Sequence, residues 1–309
     1  MDTEVLMPSS PHLSSRTLAF TLLVAAIVLG FGLWGCAKHV PDETNSPEQS
    51  QGETVEEEAV VEEPIEEPVT EPAPEPQTDP RDAEFAVDPA RTEWNFEPGE
   101  TKTVYLTFDD GPSAHTQEVL DILDAHDIKA TFFVTGINLD YLDMIGKCYR
   151  RGHTIGMHTY THDYAQVYAS IEAYWEDLGA ISDVVREQIG YVPCFIRFPG
   201  GSSNTVSADY TPGIMSQLSQ DVVAEGYQYY DWDASCGDGA EHTADELVEA
   251  TMADTSYGYT SIVFLMHDGA EKATTVEALP RIIEYFQSEG YAFAPLDRST
   301  PVPHHGIGN

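Results

Sequence analysis

Two patterns of hydrophobic positions alternate along the chain between about residue 101 and residue 298. Short, nearly continuous apolar runs, such as TVYLTF at 103–108 and SIVFLM at 261–266, are typical of buried strands. The stretches between them repeat apolar residues at helical spacing. Together they predict strands at 103–108, 131–135, 153–158, 195–198, 227–232, 261–266 and 291–296, and helices at 117–126, 140–151, 170–188, 214–224, 245–253 and 275–288.

This alternation is typical of parallel strands joined by crossover helices. It therefore predicts one α/β domain of about seven strands over 101–298, followed by a C-terminal tail at 299–309. The pattern alone leaves two architectures open, a doubly wound sheet and a barrel. In both, functional side chains gather at the carboxyl ends of the strands.

A long apolar run lies near the beginning of the chain. Residues 17–37 are uncharged, and at 1.5 Å per residue this helix would span about 31 Å, enough to cross a bilayer. We expect a cytoplasmic tail at 1–16 and a transmembrane signal anchor at 17–37. Alternatively, Leu33-Trp34-Gly35-Cys36 resembles a bacterial lipobox, and Cys36 would then carry a lipid. Either way, we expect the protein at the cell membrane with its α/β domain outside the cell.

The segment after this run is strongly acidic. From residue 38 to residue 80 there are 14 acidic residues, one basic residue, eight prolines and no aromatic residue. Such a composition cannot bury enough apolar area to fold, so it predicts a disordered linker over 38–90. The whole chain has 14 Lys and Arg against 53 Asp and Glu, a net charge of −39. That charge makes nucleic acid an unsuitable partner.

Polar residues directly follow five of the predicted strands. Because parallel strands end at the same edge of a sheet, we expect these residues to share one rim of the domain. A single cluster of this kind would mean little, but five indicate a functional site. They are Asp109-Asp110-Gly111-Pro112, His158-Thr159-Tyr160-Thr161-His162, Arg197-Phe198-Pro199-Gly200-Gly201, Asp231-Trp232-Asp233 with Asp238, and His267-Asp268.

Two of these clusters suggest a metal site. His158 and His162 are four residues apart, which on a helical turn would put both imidazoles on one face. Two histidines and one carboxylate, from Asp109 or Asp110, make a three-ligand set with an open position, as in catalytic zinc sites. The other aspartate would remain available as a base.

The motifs TFDDGP, HTYTH, RFPGG and LMH occur in this order and resemble the NodB-homology domain of polysaccharide deacetylases, carbohydrate esterase family 4. The resemblance covers about 102–296, and it implies a distorted (β/α) barrel. It implies that Asp110, His158 and His162 bind a divalent metal, with Zn²⁺ as the expected ion. It further implies that Asp109 is the general base for the attacking water and that Arg197 orients Asp109 and keeps it ionised.

The resemblance also assigns the rest of the site. His267 would be the general acid for the leaving amine, Leu265 would line the acetyl pocket and Pro199 would shape the rim. The family often has an aromatic residue after this proline, whereas this chain has Gly200. The Gly200 N–H could still donate to an oxyanion, but we expect an aromatic wall to be lost.

The acidic partner of the expected general acid is less clear, because the family's Asp-Trp pair does not occur in its usual place. Asp238 is followed by Gly239, whereas Asp231 and Trp232 come seven residues earlier. We prefer Asp238 as the partner of His267, because its distance along the chain is closer to the family pattern. Asp231 is the alternative, and Trp232 could supply an apolar wall.

The expected activity is removal of N-acetyl groups from peptidoglycan N-acetylglucosamine by a monomeric enzyme. A surface-tethered enzyme with a long linker would reach the cell wall, which makes this glycan the first choice. Alternatives are a deacetylase of exogenous chitin or acetylxylan, and a catalytically silent glycan-binding module. The presence of both aspartates and all three histidines argues against the silent module.

Overall fold

A computed structural model describes residues 79–309. The predicted tail at 1–16, the predicted anchor at 17–37 and most of the predicted linker lie outside the described residues. Within the described part, no helix is long and apolar enough to cross a bilayer.

The centre of the domain is a parallel sheet of eight strands, and the predicted α/β class is confirmed. The strands are β1 Thr103–Asp109, β2 Thr131–Val134, β3 Thr154–Met157, β4 Phe195–Ile196, β5 Gln228–Tyr229, β6 Ala234–Ser235, β7 Ser261–His267 and β8 Ala292–Phe293. Their order in the sheet is β5-β4-β3-β2-β1-β7-β6, with β8 also beside β1, and every pair of strands is parallel.

The two ends of this curled sheet belong to one stretch of chain, 228–235. Its first residues pair with β4 and its last residues pair with β7. Beyond β5, Tyr230 N–H donates to Ile196 O at 2.9 Å, and before β6, Asp233 N–H donates to Val263 O at 2.9 Å. No strand ladder joins β5 to β6, so the predicted barrel is an open, curled sheet whose edges are linked through the chain.

Helices cover the sheet and have local sequence signals at their ends. Ser113 caps the second helix with a reciprocal capping box, and Gly190 ends the longest helix at φ 91°. The helices are α1 Pro80–Phe85, α2 Ala114–Ala125, α3 Asp143–Arg150, α4 Tyr164–Val167, α5 Ile171–Ile189, α6 Ile214–Ala224, α7 Ala244–Asp254 and α8 Ala273–Ser288, with 3₁₀ turns at Leu139–Tyr141 and Val206–Asp209.

The pairing of β1 with β7 sets the position of the site. These strands pair along their whole length, from Thr103 opposite Ser261 to Asp109 opposite His267. The central residues of both strands are largely buried, as expected for parallel strands whose two faces are both covered. The expected base and the expected acid are therefore register partners at the carboxyl edge.

The folded domain begins earlier than predicted. Residues 79–90 were expected to belong to the linker, but α1 packs on the domain. Phe85 is buried, with its ring centroid 5.2 Å from that of Phe195. The Phe85 carbonyl accepts a hydrogen bond from Cys194 N–H at 2.7 Å. This single aromatic anchor in an otherwise acidic stretch joins the segment to β4.

The predicted C-terminal tail is also part of the fold. Pro303 O accepts from Asp231 N–H at 3.1 Å, so the tail fills the seam between β5 and β6. At the last residue, Asn309 O accepts from Ser216 N–H at 2.8 Å, and its side-chain oxygen accepts from Gly213 N–H at 2.6 Å. Asn309 thus caps α6, which has no side-chain cap of its own.

Candidate active site

The carboxyl ends of the strands surround a cavity of about 210 Å³. It contains eight of the predicted site residues and three others. The lining residues are Asp109, Asp110, His158, His162, Tyr164, Gly200, Trp232, Gly239, Leu265, His267 and Lys272.

Asp110, His158 and His162 form a donor set suited to a divalent metal. The Asp110 Oδ1 atom is 3.6 Å from His158 Nε2 and 3.3 Å from His162 Nε2. All three donor atoms lie within 4.8 Å of one another. Asp110 Oδ1 is buried and has no hydrogen-bond partner among residues 79–309, as a metal ligand would. The residues therefore fit the metal that the resemblance implies.

His158 is oriented and kept neutral by its surroundings. Its Nδ1 lies 2.8 Å from the Arg197 carbonyl oxygen, so Nδ1–H donates there and the Nε2 lone pair faces Asp110. Burial lowers the pKa of His158 to about 3, with the neighbouring His162 adding to the effect. A neutral imidazole with a free Nε2 is the form that binds metal.

The two histidines are not on a helical turn, so the geometric reason for their spacing was wrong. They lie in the loop between β3 and α4, and this loop includes left-handed residues. Thr159 has φ 69° and His162 has φ 53°, while Asp110 in the facing loop has φ 70°. Such a conformation is costly for the β-branched Thr159 and is typical of functional sites.

A buried carboxylate from α5 holds this loop. Asp177 accepts hydrogen bonds from the backbone N–H groups of Tyr160 and Thr161, and from the Thr161 hydroxyl at 2.6 Å. Asp177 is 9% exposed. It therefore fixes residues that lie between His158 and His162.

Asp109 lies beside the donor set and pairs with a buried arginine. Its Oδ1 accepts from Arg197 Nη1 at 2.8 Å, and the Arg197 side chain is fully buried. Arg197 also donates to Thr107 Oγ1 at 2.8 Å, Tyr230 O at 2.8 Å and Asp231 O at 3.0 Å. Burial raises the pKa of Asp109, while the charge of Arg197 opposes this rise.

His267 pairs with Asp238 and not with Asp231. His267 Nδ1 is 2.8 Å from Asp238 Oδ1, and Asp238 Oδ2 accepts from His267 N–H and Thr275 Oγ1, each at 2.8 Å. Burial alone would lower the pKa of His267, but the hydrogen bond and charge of Asp238 raise it to about 9. His267 is therefore protonated at neutral pH.

Asp231 instead connects the rim to the C-terminal segment. It accepts from Ser202 N–H at 2.8 Å, Ser202 Oγ at 2.5 Å and His305 N–H at 2.7 Å. His305 Nε2 lies 2.7 Å from the carbonyl of Trp232, and the two rings meet edge-on at 4.8 Å. His305 therefore supports the indole that lines the cavity.

Two expectations for the rim need correction. Pro199 is buried and is not among the lining residues; its carbonyl accepts from Tyr168 Oη at 2.8 Å. The aromatic wall expected to be lost at Gly200 is supplied by Tyr164, the first residue of α4, which lines the cavity beside this glycine.

Lys272 is a further lining residue, and its Nζ donates to Asp238 O at 2.7 Å. Its position five residues after His267 was a usable signal, whereas nothing in the sequence placed Tyr164 near Gly200.

The carboxyl edge of the sheet therefore holds an Asp-His-His set, an Asp–Arg pair and an Asp–His pair. Together these side chains form a site of the kind found in hydrolases. Comparison with known proteins agrees, since residues 97–212 match the family described as polysaccharide deacetylase. A putative polysaccharide deacetylase of Bacillus subtilis is 32% identical over 209 residues, covering 66% of this chain and 70% of that protein.

Two further relatives have a named substrate. A peptidoglycan-N-acetylglucosamine deacetylase of Bacillus cereus is 31% identical over 218 residues, covering 67% of this chain and 74% of that protein. The catalytic domain of a peptidoglycan N-acetylglucosamine deacetylase from Eubacterium rectale is 44% identical, with a TM-score of 0.67. This match covers 72% of this chain and 100% of that domain. The chain therefore belongs to the polysaccharide deacetylase family, carbohydrate esterase family 4, and is a polysaccharide deacetylase.

Proposed function

We propose that this protein removes the acetyl group from N-acetylglucosamine of cell-wall peptidoglycan in a zinc-dependent hydrolysis. The observation that carries the proposal is the placement of Asp109 and His267 as register partners beside the Asp-His-His donor set. The choice of glycan follows the Bacillus cereus and Eubacterium rectale relatives, both named for this substrate.

Asp110, His158 and His162 would hold the metal. Zinc suits two neutral imidazoles and one carboxylate with an open position. When bound, such an ion polarises a carbonyl group and makes a nearby water more acidic. The protein prepares the donor atoms through the hydrogen bond from His158 to the Arg197 carbonyl and through the contacts of Asp177 with the loop.

Asp109 acts as the general base in this mechanism. Its carboxylate takes a proton from the attacking water, because it borders the donor set and has one oxygen free of Arg197. The buried guanidinium fixes the direction of the carboxylate and favours its ionised form. As the base, Asp109 must begin the reaction deprotonated, and the charge of Arg197 opposes the rise in its pKa that burial causes.

His267 acts as the general acid. Asp238 holds Nδ1–H, so Nε2–H is the proton available to the departing amine. The Gly200 N–H donates to the oxygen of the former carbonyl as negative charge develops there. Acetate and the free amine of the sugar are the products.

The same proposal includes a location at the cell membrane with the catalytic domain outside the cell. The uncharged run at 17–37 and the acidic stretch after it support a tethered enzyme that reaches the wall. Labelling with radioactive palmitate distinguishes the two tethers, since lipidation is lost in Cys36→Ser. An uncleaved anchor takes up no label, and protein recovered only in the soluble fraction contradicts both.

Acetate release by the full-length protein in detergent, with added zinc, tests the function. Peptidoglycan, chitooligosaccharides and acetylxylan are offered in parallel. Asp109→Asn is compared with Asp183→Asn, which removes a solvent-exposed carboxylate on α5. Release from peptidoglycan that is lost with Asp109→Asn and with chelator, but kept with Asp183→Asn, supports the proposal. Release from chitin or xylan alone contradicts the substrate, and no release from any glycan contradicts the reaction.

A further inference from the structure

The space beside Gly200 is filled by the side chain of Tyr164. Gly200 has φ 76°, and a Cβ atom on it would collide with the Tyr164 hydroxyl oxygen and lie 3.4 Å from Tyr164 Cζ. A side chain at position 200 and the hydroxyl group of Tyr164 therefore exclude each other. Glycine at position 200 lets the phenol approach the backbone that borders the cavity.

The ring of Tyr164 is held in place by aromatic neighbours. Its centroid lies 5.4 Å from that of Tyr168 at 71° and 5.9 Å from that of His162 at 76°. These edge-on contacts are favourable geometries for aromatic pairs. The hydroxyl is therefore presented from a fixed ring and not from a mobile side chain.

The Tyr164 hydroxyl is free to donate to a ligand. Tyr164 lines the cavity together with Asp110 and Gly200. Within residues 79–309 its hydroxyl has no hydrogen-bond partner, whereas the hydroxyl of the neighbouring Tyr168 donates to Pro199 O at 2.8 Å. A phenol hydroxyl can donate one hydrogen bond and can also accept one. An unpaired donor beside Gly200 has the position expected for a contact with the acetyl oxygen.

We propose that Tyr164 is a catalytic residue whose hydroxyl donates a hydrogen bond to the acetyl oxygen of the substrate, next to the Gly200 N–H. This inference rests on the proposed deacetylase function. Two hydrogen-bond donors on this oxygen stabilise the transition state, in which negative charge develops on it. They stabilise the ground state less, because the carbonyl is still neutral there. The effect is therefore expected mainly in kcat.

The first test compares Tyr164→Phe with wild type in steady-state acetate release by the full-length, zinc-loaded protein. The ring and its packing remain, so the variant should unfold at the same temperature as wild type. We expect kcat to fall about 100-fold with KM changed less than about threefold, as for loss of one oxyanion donor. Tyr257→Phe, which removes a hydroxyl from a side chain that is 80% exposed, should leave both constants unchanged.

The second test uses the collision between the two positions. Gly200→Ala should reduce activity more in the presence of the Tyr164 hydroxyl than in a Tyr164→Phe background, because phenylalanine removes the colliding oxygen. The strain of a left-handed alanine is the same in both backgrounds and cancels in the comparison.

The outcomes separate this inference from the proposed function. Inactive wild-type protein contradicts the deacetylase function itself. Active wild type with an unchanged kcat in Tyr164→Phe overturns the catalytic role of Tyr164. A raised KM with unchanged kcat also overturns it, since it would place the hydroxyl on a part of the sugar that does not react.

Discussion

Replacing Asp238 with asparagine tests the electrostatic basis of the candidate general acid. The side-chain oxygen of the new amide can still accept from His267 N–H and Thr275 Oγ1, so the backbone connection is expected to survive. The amide nitrogen then faces His267 Nδ1, which must accept instead of donate. The imidazole would carry its proton on Nε2 and be neutral, because the largest of the charges that offset its burial is gone.

The size of the effect follows from the pKa of His267. Its rise from 6.5 to about 9 corresponds to about 3 kcal/mol of stability in the folded protein. Because the folded-state pKa is raised, this contribution is complete below the unfolded value of 6.5 and disappears as the pH rises through about 9. In Asp238→Asn, the smaller effects of Asp109 and Asp110 remain against burial, so the pKa should fall from about 9 towards the unfolded value of 6.5.

Urea unfolding of the metal-free protein at about pH 6 and about pH 9.5 measures this contribution directly. The stability difference between wild type and Asp238→Asn should be about 3 kcal/mol larger at the lower pH. In acetate release, the alkaline limb of kcat/KM should move from about pH 9 to lower pH, because less His267 is protonated.

The matched control is Asp245→Asn, which removes a carboxylate that is 79% exposed and contacts Arg281. It should change stability by less than about 1 kcal/mol at both pH values. A stability difference for Asp238→Asn that is the same at both pH values would refute the proposed charge pairing. An alkaline limb that does not move would refute the role of His267 as the acid.

Three further substitutions test the surroundings of the site. Arg197→Met should destabilise the fold by about 3–5 kcal/mol in urea unfolding, because it leaves the Asp109 carboxylate buried without its partner. Asp177→Asn should weaken zinc affinity about 10- to 100-fold in competition with a chelator, because an amide cannot accept all the loop hydrogen bonds. His305→Ala should raise KM about fivefold, because Trp232 loses a hydrogen bond of about 1 kcal/mol.

Exposed residues of the same types provide the controls. Each control alters a side chain on the surface. We expect near wild-type stability in Arg186→Met, near wild-type zinc affinity in Asp183→Asn and a near wild-type KM in His242→Ala. An effect of Arg197→Met no larger than that of Arg186→Met would contradict the buried pair. Unchanged zinc affinity in Asp177→Asn would contradict the role of Asp177 in holding the metal-ligand loop. Unchanged KM in His305→Ala would contradict the role of His305 in supporting Trp232.

The central sheet and its polar edge were accessible from the sequence because they depend on local pattern. Apolar runs predicted β1 and β7 closely, and the residues directly behind them, Asp109 and His267, were assigned to one rim. This assignment needs only parallel pairing, because residues that directly follow parallel strands lie close together at the carboxyl edge of the sheet. The short motifs then allowed the family to be recognised.

The supports of the site depend on contacts between distant parts of the chain. Asp177 is 16 residues from Thr161 along the chain, and His305 is 73 residues from Trp232. No periodicity or motif connects such pairs, because a helix pattern shows which face is buried but not which loop packs against it. Tyr164 could be placed beside Gly200 only once α4 was packed on the rim.

Residue order and hydrophobic spacing therefore determine the strands, their parallel pairing and the chemical groups at their carboxyl ends. Tertiary packing decides the remainder, namely the partner of His267, the wall beside Gly200 and the tail that fills the seam at Asp231. The physical reason is the separation along the chain of the residues that interact. Backbone conformation and burial follow from near neighbours, whereas a hydrogen bond between distant segments requires the whole chain to be folded first.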